Sequence, residues 1–276
     1  MQTDFDLFQA ILDFVQNLDP EVYDAAFSYA AAMVLLVGLI ALSRWQKIGI
    51  TEKLIIGTAR GTIQIILMAL ILLEIFALEN LVLIFGLLIF MALFAAHTSR
   101  SNLDDIPGVF RAGAPAILVG GLTVMVISVL LGVVKPVGEY IIPMGGMVIG
   151  NAMGINSLVM ERMWSNAQKQ RSLMETALAL GATPLQATNM TIRESIRSGL
   201  LPNLNRYASL GIVSIPGLMS GMIIGGTPVL AAALYQVIIF VMIFLACIVS
   251  GLIASRIFLQ EMFNERAQIT VPPPEA

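Results

Sequence analysis

Long apolar stretches dominate this chain and constrain its fold more than any motif. Seven of them, at about 25–43, 54–76, 79–97, 114–134, 140–163, 207–226 and 229–256, approach or exceed the roughly 20 residues that an α-helix needs to cross a bilayer. They leave only short connections and no room for a large soluble domain. Hydrophobic residues make up 58% of the chain and charged ones 12%, and a mean hydropathy of +0.88 excludes an aqueous globular fold. The predicted fold is therefore all-α, a polytopic transmembrane helical bundle of seven spans.

Lys and Arg are retained on the cytoplasmic side during insertion, so their distribution orients the bundle. Arg44, Lys47 and Lys53 fall between the first two stretches, and Arg100 and Arg111 between the third and fourth. Between the fifth and sixth lie Arg162, Lys169, Arg171, Arg193, Arg197 and Arg206, and Arg256 and Arg266 follow the seventh. The alternate side holds Lys135 with an acidic N-terminus, Glu79 and Glu139. The N-terminus is predicted outside and the C-terminus in the cytoplasm, which requires an odd number of crossings. Localisation follows as multi-pass in the cell's inner (plasma) membrane.

Met1 to Asp24 contains six acids and no Lys or Arg, so it lacks the basic start of a secretory signal. Phe8, Ile11, Leu12, Val15 and Leu18 recur at helical spacing, which predicts that residues 1–24 form an extracytoplasmic amphipathic helix on the membrane surface. The permease domain is assigned to 25–258 and a cytoplasmic tail to 259–276. Within that tail Thr270 to Ala276, with three consecutive prolines, is expected not to pack.

The one long connection, 164–206, carries the strongest local signals. Leu173, Ala177 and Leu180 share a helix face, and Gly181 is a helix stop. Thr183 then reads as an N-cap, Pro184 as the first helical position and Gln186 as the partner in a T-x-x-Q capping box. The second helix is expected to end near Gly199, before Pro202. A DNA-reading role for this helix–turn–helix is rejected: wedged between spans in a chain that is not basic, it has no access to a groove.

At these residues the chain resembles a known family. The run Glu175 to Gln186, ETALALGATPLQ, resembles the E-x-A-x-x-x-G-A coupling motif of ABC transporter permeases. Ile142–Asn151 (IPMGGMVIGN), Ala179–Pro184 (ALGATP), Ile212–Gly221 (IVSIPGLMSG) and Tyr235-Gln236 resemble the FetB-like permeases, and the plant aluminium-sensitivity membrane proteins are similar. The resemblance spans about Arg60 to Ile257; Leu201-Pro202 lies farther beyond Gly181 than importers of this class usually place that pair. It implies a homodimeric permease coupled to a separate ABC ATPase through Glu175, Ala177, Gly181, Ala182, Thr183 and Pro184. The implied cargo is a metal ion, iron moved outward, with a nucleotide sugar such as UDP-glucose as the alternative.

No G-x-x-x-x-G-K-[ST] phosphate loop occurs in the chain, so ATP and Mg are expected on the partner, with no cofactor on this chain. No convergent nucleophile or metal constellation marks an enzyme, and no metal site is assigned. An ATPase-independent transporter or channel would call for intramembrane carboxylates or inverted repeats. Neither is evident.

Two glycine stripes, Gly146, Gly150 and Gly154 and then Gly217, Gly221 and Gly225, predict close helix packing, within the chain or between copies. Arg60 and Gln64 lie one helical turn apart. With Met147, Asn151 and Gln236 they form the candidate translocation path, against the plainer reading of interhelical hydrogen bonding. The sixteen methionines admit a thioether path for a soft metal or, as the preferred reading, flexible packing. Cys247 reads as a buried apolar residue and His97 as interfacial.

Overall fold

The structure, a computed structural model, describes residues 20–78 and 80–273. The predicted N-terminal surface helix lies, but for its last turn, outside the described residues. All regular structure among the described residues is helical, the only β-type pairings being isolated bridges at Leu210–Ser214 and Phe263–Ile269. The chain divides into two compact units, one reaching to Leu73 and the other beginning at Glu74.

In the first unit, α1 (Pro20–Trp45) is followed by a tight turn and the start of α2 (Thr51–Leu78). Lys47 and Gly49 adopt positive φ in that turn. A hydrogen bond between Tyr29 and the Thr62 hydroxyl, 2.8 Å long, joins the two helices.

The second unit contains α3 (Leu81–Asn102), capped by Asn80, whose side chain accepts from the amides of Val82 and Leu83. Next come α4 (Val109–Ile117), one wide π turn (Leu118–Leu122) and α5 (Thr123–Leu130), which together form one crossing-length rod. Pro115 removes an amide from the ladder of that rod, and Gly120 lets it press on a neighbour, which is where π turns are tolerated. Then follow α6 (Gly138–Lys169), α7 (Arg171–Ala179), α8 (Pro184–Ala208), α9 (Gly217–Ile224) and α10 (Val229–Glu261).

Among the described residues, six helical stretches are long and apolar enough to cross a membrane. The seventh expected span, 207–226, is not one helix. It comprises the end of α8, a break over 209–216 and the short α9. Pro216 disfavours helical backbone at Ile215, Gly211 turns at φ +81°, and Pro216 then opens α9 as its N-cap. Conversely, α8 passes the stop expected at Gly199 and runs on to Ala208 with Pro202 inside it. Gly199 is a packing glycine rather than a terminator, because a Cβ there would stand 3.1 Å from Ile155 and 3.2 Å from Val159.

Pairings give the directions of the rods. Tyr140–Tyr235, Asn156–Ser250 and Trp164–Phe258 keep one sequence offset, so α6 and α10 run parallel. Leu88 against Gly145 and Ser99 bonded to Ser157 make α3 parallel to them as well. Met160 near Gly113 and Ile149 near Gly121 make the α4–α5 rod antiparallel. Because α6 and α10 point the same way, the chain between them returns to its starting end, and α8, the break and α9 make that return.

Small residues set how closely the rods approach. A Cβ on Gly120 would lie 2.8 Å from Ser250 Cβ and 3.0 Å from the Ala246 carbonyl oxygen, and one on Gly145 would lie 2.6 Å from Leu88. The predicted stripes behave differently. Gly146 meets Met91, but Gly150, Gly154, Gly217 and Gly221 have open space where a Cβ would be, and α9 has no buried residue. Of the two routes expected for the stripes, close packing within the chain is seen at Gly146, while the faces at Gly150, Gly154, Gly217 and Gly221 are open in the single chain. Buried Met125, Met144, Met160 and Met163 fill the core instead.

Candidate functional site

The connection beyond α6 is built as its local sequence dictates. Gly181 ends α7 in left-handed backbone, φ +93°, and two bonds close the turn, Gly181 N–H to the Leu178 carbonyl (2.9 Å) and Ala182 N–H to the Ala177 carbonyl (3.0 Å). That double closure satisfies carbonyls that the helix end would leave orphaned. Thr183 starts α8 with the predicted capping box: its Oγ1 accepts from the Gln186 amide at 3.3 Å, and its own amide donates to Gln186 Oε1 at 2.8 Å. The corner between α7 and α8 is therefore rigid although it is exposed. Leu180 at its tip is 85% exposed and Leu173 is also exposed, which leaves the shared apolar face of α7 largely uncovered.

Glu175 is not free. It accepts from Arg171 Nε at 2.8 Å across one helical turn. Arg171 also donates from Nη1 to the Val271 carbonyl at 2.6 Å. The C-terminal segment up to Pro273 thus packs against α7, contrary to the expectation for Thr270 onward. Val271 is fully buried and Ile269 nearly so, Thr270 N–H bonds to the Met262 carbonyl, and Asn264 organises the turn by accepting from the amides of Arg266 and Gln268. Pro274 to Ala276 lie outside the described residues. A cleft of about 530 Å³ separates this hairpin from α7, with Arg171, Glu175, Leu178 and Ala182 on one wall and Asn264 and Gln268 among those on the other. The sequence did carry the signal, apolar alternation at Phe263, Ile269 and Val271 around an Asn turn, but the proline run masked it.

The candidate path residues divide between the units. Arg60 and Gln64 belong to the first. In the second, Met147 is half-buried and Asn151 donates to the Met147 carbonyl of its own helix at 2.8 Å. Gln236 is buried, and its Oε1 accepts from the Met219 amide at 3.3 Å. Met219 lies in the first turn of α9, whose amides have no partner within the helix, so Gln236 caps the short helix that follows the break.

Polar residues line the seams between α6, α8 and α10, Asn156 among those that the sequence offers for a path and Asn203 and Ser195 beyond them. Asn156 donates to Ser250 Oγ at 2.9 Å and Asn203 to Cys247 Sγ at 3.4 Å. Asn156 Oδ1 and Ser195 Oγ are buried with no hydrogen-bond partner. Nothing in helical periodicity distinguishes such seam residues from lipid-facing ones.

Apolar rods of crossing length around small-residue seams define an integral membrane protein of the helical-bundle class. The chain belongs to the family described as "Uncharacterised protein family (UPF0014)", whose model matches residues 26–263. It is 30% identical to the UPF0014 membrane protein STAR2 of Oryza sativa subsp. japonica over 95% of each chain. Over 88% of this chain and 94% of the relative it is 30% identical to the "Probable iron export permease protein FetB" of Escherichia coli strain K12. It is 33% identical to the protein ALUMINUM SENSITIVE 3 of Arabidopsis thaliana, over 87% of this chain and 88% of that one. No solved structure matches.

Proposed function

We propose that this chain is the membrane-spanning subunit of an ATP-driven ABC exporter, and that α7, its glycine turn and the start of α8 form the element that a separate ATPase grips. The observation carrying this reading is the rigid, doubly closed corner at Leu178 to Gln186, with apolar Leu180 exposed at its tip. Glu175, Ala177, Gly181, Ala182, Thr183 and Pro184 make up that docking element. ATP and Mg belong to the partner.

The return of the chain between parallel α6 and α10 supports counting α8, the break and α9 as a seventh, interrupted crossing, with the N-terminus outside and the C-terminus in the cytoplasm of an inner (plasma) membrane. Arg100, Arg111, Arg162, Lys169, Arg171, Arg193, Arg197, Arg256 and Arg266 gather at one end of the second unit, and that sidedness supports the same orientation; Arg206, expected with them, lies instead in the last turn of α8, at its far end. Two copies complete the transporter. The open glycine faces at Gly150, Gly154, Gly217 and Gly221 support close packing against a second chain, and the non-helical backbone at 209–216 requires protein or a water-filled cavity beside it at membrane depth.

The mechanical reading follows from α8. It is continuous from the Thr183 cap to the break at Ser209, so a push at the tip is delivered to the interrupted segment and to α9, and access alternates there. Relationship to a probable iron export permease supports iron as cargo. The test has two arms. Co-purification of a candidate ABC ATPase is expected to be lost in Glu175→Arg and Gly181→Trp, and normal retention by both variants defeats the coupling assignment. ATP-dependent uptake into inverted vesicles is expected for ferrous iron and not for UDP-glucose; the reverse replaces the cargo.

A further inference from the structure

We propose that a groove between α8 and α10 binds one anionic phospholipid, with its headgroup on Arg193, Arg197 and Arg256 and an acyl chain along the leucines beyond them. Two adjoining cavities form the groove, of about 480 Å³ and about 140 Å³, and they share Arg193, Ile196 and Leu252. The smaller one includes Arg256, and the larger one includes Arg197 and then Leu200, Leu201 and Leu204. No carboxylate lines either cavity. Among the described residues the two ion pairs are Arg111–Glu261 and Arg171–Glu175, so none of the three groove arginines is neutralised by a salt bridge.

Geometry separates the charged and apolar ends. Arg193 and Arg197 occupy successive turns of α8, and Arg256 lies one turn beyond Leu252 on α10, toward the end where that helix stops. Leu204 is eleven residues past Arg193, or about 16 Å along the helix at its usual rise, close to half of the ~30 Å hydrocarbon core. A cationic cluster at the membrane edge that opens onto an apolar trough one leaflet deep matches an amphiphile with an anionic head. A free phosphate would leave the trough empty, and a neutral lipid would leave three guanidinium groups without counter-charge. Arginine suits this site because its planar fork holds phosphate oxygens in pairs, and basic pockets between spans are where acidic headgroups settle. The inference rests on the proposed reading of α8 as part of an interrupted crossing and is independent of the ATPase and cargo assignments.

The full chain, purified in dodecyl maltoside, is titrated with dioleoyl phosphatidylglycerol, dioleoyl phosphatidylcholine and inorganic phosphate, and bound lipid is counted by native mass spectrometry. Wild type is expected to prefer phosphatidylglycerol on the order of a hundredfold, since each arginine near the surface contributes about fivefold toward anionic lipid. Arg193→Gln, Arg197→Gln and Arg256→Gln combined should abolish the preference, while Leu204→Trp should weaken both lipids and leave their ratio unchanged. Equal retention of the two lipids by wild type overturns the proposal without reference to any variant. Competition by inorganic phosphate at lipid concentrations overturns it in favour of a free-anion site. If wild type is indifferent to lipid and the three arginines instead govern retention of an ATPase, the groove is a protein contact and the proposal fails.

Discussion

Replacing Gly181 separates the geometry of the corner from its exposure. A Cβ built there meets nothing within 4 Å, yet φ is +93°, so alanine suffers no clash and only backbone strain. For an L-residue in left-handed backbone that strain is about 1–2 kcal/mol, and asparagine, which tolerates this region, suffers less. The strain falls on the two closing bonds from Gly181 and Ala182 and not on the bundle, whose seams lie elsewhere. The expected order of ATPase affinity is wild type above Gly181→Asn, then Gly181→Ala weaker by roughly five- to thirtyfold if the strained corner must be held in the bound state, with Gly181→Trp abolishing binding by bulk at the tip. All four proteins should share one melting temperature in detergent within a few degrees. The assay is surface-immobilised capture of the ATPase by detergent-solubilised permease, with melting followed by intrinsic fluorescence. Asparagine as damaging as alanine would refute the backbone argument, and tryptophan binding as well as wild type would refute the docking site.

Gly120→Ala should cost about 1–3 kcal/mol, because its Cβ meets Ser250 and the Ala246 carbonyl on α10, whereas Gly154→Ala should leave the monomer's melting unchanged; cross-linked dimer yield then reports whether the open glycine face packs on a second copy. Val271→Asp places a charge at a fully buried position and should release the C-terminal hairpin, seen as new protease cleavage near Asn264 with the bundle's own melting preserved. Arg171→Ala removes the bond to the Val271 carbonyl and the pair with Glu175, so hydrogen exchange across 262–271 should rise by about five- to thirtyfold, the loss of a charge-assisted bond worth roughly 1–2 kcal/mol. Gln236→Leu strips the acceptor from the Met219 amide and should increase exchange in α9 without affecting α7.

Legibility in the sequence followed the range of the forces. The corner at Leu178 to Gln186 depends on bonds spanning three to five residues, so Gly181, Thr183 and Gln186 announced it, and the long apolar rods announced themselves by composition. The interrupted segment was harder. Residues 207–226 are apolar throughout, and hydropathy alone cannot tell a rod from a rod broken by Gly211 and Pro216. Gly199 misled for the opposite reason: a glycine followed by proline reads as a helix end, but the close approach of Ile155 and Val159 is a tertiary demand invisible along one helix. The C-terminal hairpin was missed because its stability comes from burial of Val271 against a distant part of the chain, which the adjacent proline run hides.

The coupling proposed above asks α8 to move as a unit, and its seam with α6 and α10 is held by close packing at Gly199 and by few directional bonds. The buried face of α8 combines short residues, Thr188, Thr191, Ser195 and Gly199, with Ile192 and Asn203, and Ile155 and Val159 of α6 fit closely over Gly199. Directional contacts are sparse. Thr191 donates to Gln170 near the tip, and Asn203 reaches Cys247 near the break, the latter through a sulfur acceptor that is weak. Between them Ser195 Oγ is buried without a partner, a cost of about 1–3 kcal/mol when the desolvation is complete. An interface with few strong bonds and one unsatisfied hydroxyl does not define a deep single register. On the proposed coupling, a small axial shift of α8 would carry the α7–α8 corner and the broken segment at 209–216 together.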